Sequence, residues 1–381
     1  MFALANLVHQ KVQLLQLDLF YHAMDIISGT IPGYSFSQPL TLCYNPRIMS
    51  LPLSMNLKVA RYLAQARLSR VRPQIPLVLM LEITHACQLN CMGCGRIREY
   101  ADTKSERLSR THAREIILEA GTPVVSISGG ETLLHPDVPT IVADALDLGK
   151  GVYLCTNGFL LAKRLSEFTP HPHFFFNVHI DGTPDFHDNL VQLPGVAERA
   201  LDGIRQAKAA GFGVTTNTTI YRNTPVEMVV DLFSQLKALG VDGFMFAPAF
   251  AYEVGLSVET LTRAETRAWF SALRRSWSGE NSHHSPFYFD FLCGDRELDC
   301  MPWGTVTYNP QGWKRPCYLL TDGHVSSFTE LMDGTDWTAW GPGRDPRCAN
   351  CMLHSGFEPS VVGNMNGPKD WLRIIRWQLG W

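Results

Sequence analysis

Long apolar runs are missing from this 381-residue chain. None reaches the roughly 20 residues that a membrane-spanning helix needs, and the N-terminus lacks the basic region, apolar core and small-residue cleavage site of a secretory signal. These absences set the expectation of a cytoplasmic protein. An excess of charge of one sign is also absent: 33 Lys and Arg stand against 36 Asp and Glu, a formal net charge of -3, so there is no basic footprint for nucleic acid. Internal repeats and low-complexity tracts are lacking, which excludes solenoids and propellers. The 23 Pro and 30 Gly are spread among turns rather than gathered into a linker. What is present is a hydrophobic fraction of 45%, enough for a large core, in a chain long enough for one α/β barrel with appendages.

Ten cysteines in a chain without a secretory signal point to metal chemistry in a reducing compartment rather than to disulfides. Cys87, Cys91 and Cys94, in THACQLNCMGCG, have the CxxxCxxC spacing that converges on three irons of a 4Fe-4S cluster, with Gly93 and Gly95 giving the loop its freedom. The fourth iron is left open, and an open iron can chelate the amino and carboxylate groups of S-adenosylmethionine (SAM). The competing reading is a zinc site or unrelated thiols; zinc favours paired CxxC knuckles with four ligands, and no fourth cysteine lies nearby.

Short β-branched and apolar runs alternate with amphipathic stretches. PLVLMLEI, PVVSIS, GVYLCTN, HFFFNVHID, FGVTTNTTI and DGFMFAPA are the strand candidates, and residues 110–120, 137–149, 196–210 and 225–239 are helix candidates between them. Repeated βα units predict an α/β fold: a partial (β/α)6 barrel related to the TIM barrel, with functional groups at the C-terminal strand ends. The expected organisation is an N-terminal extension over 1–48, an amphipathic basic helix within 49–75, the core barrel over 76–255 and a cysteine-containing C-terminal extension over 256–381. The first segment reads either as a real extension or as translated upstream sequence, because Met49 opens a plausible amino terminus. In the helix, Leu53, Leu57, Ala60, Leu63, Ala64 and Leu68 recur at helical spacing, with Lys58, Arg61, Arg67 and Arg70 on other faces; it either docks on the barrel or rests on anionic lipid.

The strand ends carry the candidate ligands. Strand two ends in Ser128, Gly129, Gly130 and Glu131, where two glycines allow close approach to a ligand and a carboxylate can accept from an ammonium group. Thr156, Asn157 and Gly158 end strand three, and His179, Ile180, Asp181 and Gly182 end strand four. Thr216, Asn217 and Thr219 line strand five, with Pro248 and Glu253 after strand six. Further on, Cys300, Cys317, Cys348 and Cys351 could ligate a second Fe-S cluster or a zinc ion, or be scattered buried thiols.

The cluster motif followed by GGE on the second strand makes residues 77–250 resemble the core of the radical SAM superfamily, which implies a 4Fe-4S cluster, SAM as co-substrate with Gly129, Gly130, Glu131, Asn157, His179, Asp181 and Asn217 as binding residues, and a flavodoxin or ferredoxin as reductant. Longer strings, among them PVVSISGGETLLH, VYLCTNGFLL, SPFYFDFL, GWKRPCYLL and DPRCANCM, are similar to the adenosylhopane synthase family of hopanoid biosynthesis over roughly residues 50–360. That resemblance implies a C-C bond-forming adenosyl transferase in which the 5'-deoxyadenosyl radical adds to the terminal alkene of diploptene, a hydrophobic triterpene. It also favours Met49 as the start, makes a peripheral membrane contact through Lys58, Arg61, Arg67 and Arg70 more plausible, and assigns Cys155 as the thiol that quenches the product radical. Phe244, Phe246, Phe250 and Tyr252 are then candidates for an apolar channel, or simply core. Ser355 stands where the family pattern has a cysteine, and Thr132 where a proline is common. The alternative keeps the radical chemistry but takes another terpenoid or a peptide, as in a maturase.

Overall fold

The computed structural model describes residues 52–69, 73–252, 259–320, 322–363 and 367–378. The extension expected over 1–48, and Arg70 and Glu253, lie outside the described residues. All six strand candidates form strands: β1 (Val78–Thr84), β2 (Val124–Gly129), β3 (Gly151–Thr156), β4 (Phe174–His179), β5 (Gly213–Ile220) and β6 (Gly243–Pro248). They pair in parallel and in sequence order, the arrangement that βα repeats impose.

Helices of eight residues or more are α1 (Leu53–Ser69), α2 (Arg110–Ala120), α3 (Val138–Asp147), α4 (Pro184–Val191), α5 (Val196–Ala209), α6 (Val226–Ala238), α7 (Arg263–Ser276), α8 (Pro286–Cys293) and α9 (Pro368–Gln378). Local chemistry sets their ends. Ser109 accepts from His112 N at 3.2 Å to start α2, Gly121 at φ 64° stops it, and Thr262 with Glu265 closes a capping box on α7.

Three further strands continue the sheet beyond β1, which the sequence pattern did not announce. β7 (Thr305–Asn309) runs parallel to β1, and β8 (Gly312–Lys314) and β9 (His324–Val325) follow antiparallel. They are too short to show periodicity, yet they attach the C-terminal extension to the strand that carries the cluster loop.

The strands bury their outward residues under the helices. Leu79, Leu81, Val125, Ile127, Val152, Leu154, Phe176 and Val214 have no exposed surface. Inward positions alternate with these, and Ser126, Tyr153 and Cys155 are half-buried, so they line an interior that solvent reaches. Phe244 and Phe246 belong to the outward set. Phe233 stacks on Phe244 at 4.7 Å and Trp277 lies against both, so they are core rather than channel lining; Phe250 is buried with its ring edge-on to Tyr252.

Helix α1 docks at the N-terminal strand ends, away from the cluster loop, and by a different residue from those its periodicity suggested. Met55 is buried against Gly151, the first residue of β3, where an added Cβ would lie 1.8 Å from Met55 Cε. Lys58 donates to Gly149 O at 3.1 Å and lies 3.3 Å from His173 Nδ1. An ammonium group only donates, so Nδ1 accepts and the Nε2 proton goes to Ser54 Oγ at 2.7 Å. Burial, and then Lys58, push the His173 pKa down to about 4. Lys58 thus helps to dock the helix while remaining exposed, as are Arg61, Arg67, Ala60, Ala64 and Leu68.

Candidate active site

The loop bearing Cys87, Cys91 and Cys94 leaves β1 directly and is held from both sides. Its outer flank packs Leu89 with Val191 and Val196, Cys87 and Cys91 touching that patch, and Met92 N donates to Leu190 O at 2.9 Å. Its inner flank is zipped to β2: Gly130 N donates to Thr84 O at 2.8 Å and Glu131 N to Ala86 O at 2.7 Å. The two glycines of the GGE turn serve this zipper. Gly129 has φ 136°, and Cβ atoms on Gly129 and Gly130 would lie 2.3 Å from Thr84 O and 2.2 Å from Ala86 O, so their space is taken by the cluster-loop backbone.

Gly93 and Gly95 likewise make room rather than freedom. Gly95 has ordinary helical angles, φ -69° and ψ -31°; what it lacks is a Cβ that would meet the Tyr252 ring at 2.3 Å, and a Cβ on Gly93 would meet Tyr221 Oη at 2.4 Å. Two tyrosines therefore clamp the loop. Arg98 does so from the far side, donating to Cys91 O at 3.1 Å and Cys94 O at 2.5 Å. Sequence reasoning missed Tyr221 and Arg98 and named Tyr252 only as channel lining or core; the aromatic or basic residue adjoining each motif was the available signal.

The thiols converge: Cys91 feels Cys94 and Cys87 electrostatically and Cys87 feels Cys94, Leu89 N donates to Cys87 Sγ at 3.4 Å, and burial pushes Cys87 up to about 12 and raises Cys91 as well. Thiols so desolvated give up their protons to a metal rather than to water. Three sulfurs on one loop fit a cubane with three protein-held irons.

Glu131 is buried, and its carboxylate accepts from Thr156 Oγ1 at 2.7 Å, Leu133 N at 2.9 Å and Asn157 N at 2.8 Å. Three of about four lone-pair positions are thus filled by protein. Its chief structural act is to tie the end of β3 to the GGE turn, and burial raises its pKa against those bonds. Asn157 Oδ1 accepts from Gln88 Nε2 at 3.2 Å and Phe159 N at 3.0 Å, which ties β3 to the cluster loop.

At β4 the structure gathers three groups, two expected and one missed. His179 Nε2 lies 2.8 Å from Asp181 Oδ2, and Asp181 Oδ1 accepts from Thr219 N at 2.7 Å. Burial opposes both charges, but each partner favours the other's, so the His179 pKa is raised and that of Asp181 lowered. His187 on α4 accepts from Asp181 N through Nδ1 at 3.1 Å; its proton is therefore on Nε2, which is buried without a partner among the described residues. Burial pushes its pKa down to about 4. Ser128 Oγ is also buried and unpartnered. Such orphans suit a polar ligand at the C-terminal strand ends. Asn217 pairs across from His179, Thr219 shares its face, and Thr216 points to the other face by strand alternation.

Below this ring sits Cys155, half-buried on the inner face of β3. Ser126 Oγ lies 3.4 Å from its sulfur, Asn177 Nδ2 donates to it at 3.7 Å, and Thr215 Oγ1 orients Asn177 through Oδ1 at 3.2 Å. Thr132, in the place of the common proline, donates to Cys155 O at 2.7 Å. Burial raises the thiol pKa, so the group keeps its S-H bond.

Residues 81–236 match the family model described as the radical SAM superfamily, and residues 244–374 match a domain of unknown function, DUF3463. An AdoMet-dependent heme synthase of Methanosarcina barkeri is 34% identical over 190 residues, 49% of this chain and 52% of that protein; the chain spans about half the length of such heme synthases. A PqqA peptide cyclase of Gluconobacter oxydans is 25% identical over 356 residues, 77% of this chain and 96% of that protein. Among solved structures, SuiB of Streptococcus suis bound to S-adenosylmethionine superposes with a TM-score of 0.59 at 14% identity, covering 81% of this chain and 78% of that one.

Proposed function

From the premise that this chain has a radical SAM core, with a 4Fe-4S cluster and SAM as its cofactors, we propose an enzyme that makes a carbon-carbon bond in the barrel interior and ends the reaction by hydrogen-atom transfer from Cys155. When bound, the cluster and SAM supply a 5'-deoxyadenosyl radical. Cys87, Cys91 and Cys94 would hold three irons. Ser128, His179, Asp181, His187 and Asn217 offer polar contacts for SAM, with Glu131 and Asn157 holding the strand ends in place.

The observation that carries the reading is the protonated thiol in the interior. Ser126 and Asn177 hold its sulfur, and burial keeps it neutral, the form that can give up a hydrogen atom. In that step the S-H bond of Cys155 breaks, a C-H bond forms on the substrate radical, and one electron and one proton from the reductant restore the thiol. Such a donor suits addition of the radical to an alkene, which leaves a carbon radical to be quenched. The resemblance to adenosylhopane synthases supplies the finer substrate, a hopene with a terminal alkene, and a flavodoxin or ferredoxin as reductant.

A second reading is favoured by the relatives. The match to a PqqA peptide cyclase along 96% of its length, and the 34% identity to a heme synthase, support a peptide or a tetrapyrrole in the same interior. Anaerobic incubation of the reconstituted protein with SAM, reductant and diploptene, read by mass spectrometry, separates the two: an adenosyl-triterpene adduct supports the first, and 5'-deoxyadenosine without adduct rejects the hopene. In Cys155→Ser, iron content and 5'-deoxyadenosine formation should persist while the saturated adduct falls at least about tenfold.

A further inference from the structure

Four charged side chains are buried together beside the first cysteine loop, and the radical chemistry gives them no part. Glu82 lies on the inner face of β1, Arg96 and Glu99 bound the short helix that begins two residues after Cys94, and Lys314 ends β8. Arg96 Nε lies 2.9 Å from Glu82 Oε1 and Arg96 Nη1 3.2 Å from Glu99 Oε2, while Lys314 Nζ bonds Glu99 Oε1. Glu82 and Lys314 are each 1% exposed and Arg96 9%. The Tyr100 hydroxyl joins them: it donates to Glu82 Oε2 at 3.3 Å and accepts from Arg96 Nη1 at 3.2 Å and from Asn309 Nδ2 of β7 at 2.8 Å.

The balance of charge in this group crosses two parts of the chain. In the core barrel two carboxylates, Glu82 and Glu99, face one guanidinium, Arg96. Lys314, in the stretch that matches a domain of unknown function, cancels the excess. Charges so placed are costly unless paired, and removing one partner leaves the other uncompensated. The group also adjoins the cysteines. Arg96 follows Gly95 and Cys94, the Tyr252 ring packs on Gly95 and feels Arg96, Cys94 and Glu82 together, and Arg98 of the same short helix donates to Cys91 O and Cys94 O.

We propose that Lys314, balancing Glu82, Arg96 and Glu99, sets the reduction potential of the cluster held by Cys87, Cys91 and Cys94, and that this is one contribution of the C-terminal extension to the first site. Reduction adds one electron to the cluster. A positive charge nearby favours the reduced state and a negative one opposes it, the more so where burial keeps solvent and salt from screening them. Without Lys314 the carboxylates outnumber Arg96 and the electron is harder to add. Lys314 acts through Glu99 and through its field, so it is a positioning residue. The inference rests on the cluster and SAM of the reading above and on no particular substrate.

The test removes charge of opposite sign from the two ends of one ion pair. Full-length wild type, Lys314→Met, Glu99→Gln and the double variant are reconstituted anaerobically with iron and sulfide and titrated against applied potential. Electron paramagnetic resonance reads the signal that changes on adding SAM. At the wild-type midpoint the ratio of reduced to oxidised cluster should fall about tenfold in Lys314→Met, rise about tenfold in Glu99→Gln and return toward wild type in the double variant. A purely structural pin would instead lower iron content in both single variants with no opposed shift. Shifts of the same sign, or midpoints equal to that of wild type, would overturn the proposal. Melting of the metal-free chain checks that each variant folds; should Lys314→Met fail to fold, Glu99→Gln decides alone, and a fall or no shift in it overturns the proposal. The readout is a potential measured without substrate, so failure of the hopene reading leaves it standing. A wild type with no SAM-responsive signal would overturn the cluster reading and this proposal with it.

Discussion

The two cysteine sites differ in how they are assembled. Cys87, Cys91 and Cys94 lie on one loop after one strand, and most of what positions them is local: the spacing itself, the turn from Cys91 to Cys94, and the zipper to the next strand at Thr84 and Ala86. Cys300, Cys317, Cys348 and Cys351 are separated by a strand hairpin and several turns, yet they come near enough to feel one another electrostatically, with β7 paired to β1 and Arg347 bonded to Asp322 joining the remote segments. A site written on one turn survives rearrangement of its surroundings. A site collected across the fold exists only when the fold does.

The largest expected effect separates the sites by their ligands. Cys91→Ala should reduce 5'-deoxyadenosine formation from SAM to the level of the metal-free protein, whereas Cys351→Ser should leave that cleavage measurable; equal loss in both, measured by chromatography of quenched reactions, would erase the distinction. Next comes the clamp on the first loop. Arg98→Ala leaves the Cys91 and Cys94 carbonyls without their donor, and a lost outer contact of this kind should lower cluster occupancy or turnover by about 10–100-fold.

Stability effects are smaller. Gly95→Ala sets a methyl group 2.3 Å from the Tyr252 ring, and overpacking of this kind costs about 1–3 kcal/mol, read by thermal melting of the metal-free chain.

A pH series gives the smallest effect. The raised pKa of His179 means its contribution is complete below the usual 6.5 and is lost as pH rises through the folded value. The lowered pKa of Asp181 means its contribution is complete above the usual 3.8 and is lost as pH falls through the folded value. The pair thus stabilises most between those two limits, and the gap in melting temperature between wild type and Asp181→Asn should shrink toward alkaline pH. A gap that widens there would contradict a charged His179–Asp181 pair.

Much of the frame was legible in the chain because parallel barrel strands bury both faces and read as compact apolar runs between punctuating turns. Residues 110–120 became α2 without shift, and no end of the other helix candidates moved by more than two residues. Helix α1 was legible as a helix but not in its docking, since Met55 and Lys58 are chosen by the shape of the barrel floor around Gly151 and His173. The aromatic residues of β6 were read as core or channel alike; their packing against Phe233 and Trp277 comes from helices distant in sequence.

By itself the sequence determined the βα order, the three-cysteine loop and the polar residues of the strand ends, because each depends on spacing within one turn or one strand. Tertiary structure alone decided that the GGE glycines serve the cluster-loop backbone, that His187 joins His179 and Asp181, that Cys155 faces Ser126 and Asn177, and that four dispersed cysteines converge. The physical reason is common to all four. Each is a contact between segments whose closeness is fixed by strand register and buried packing, and neither leaves a local pattern in the residues that make it.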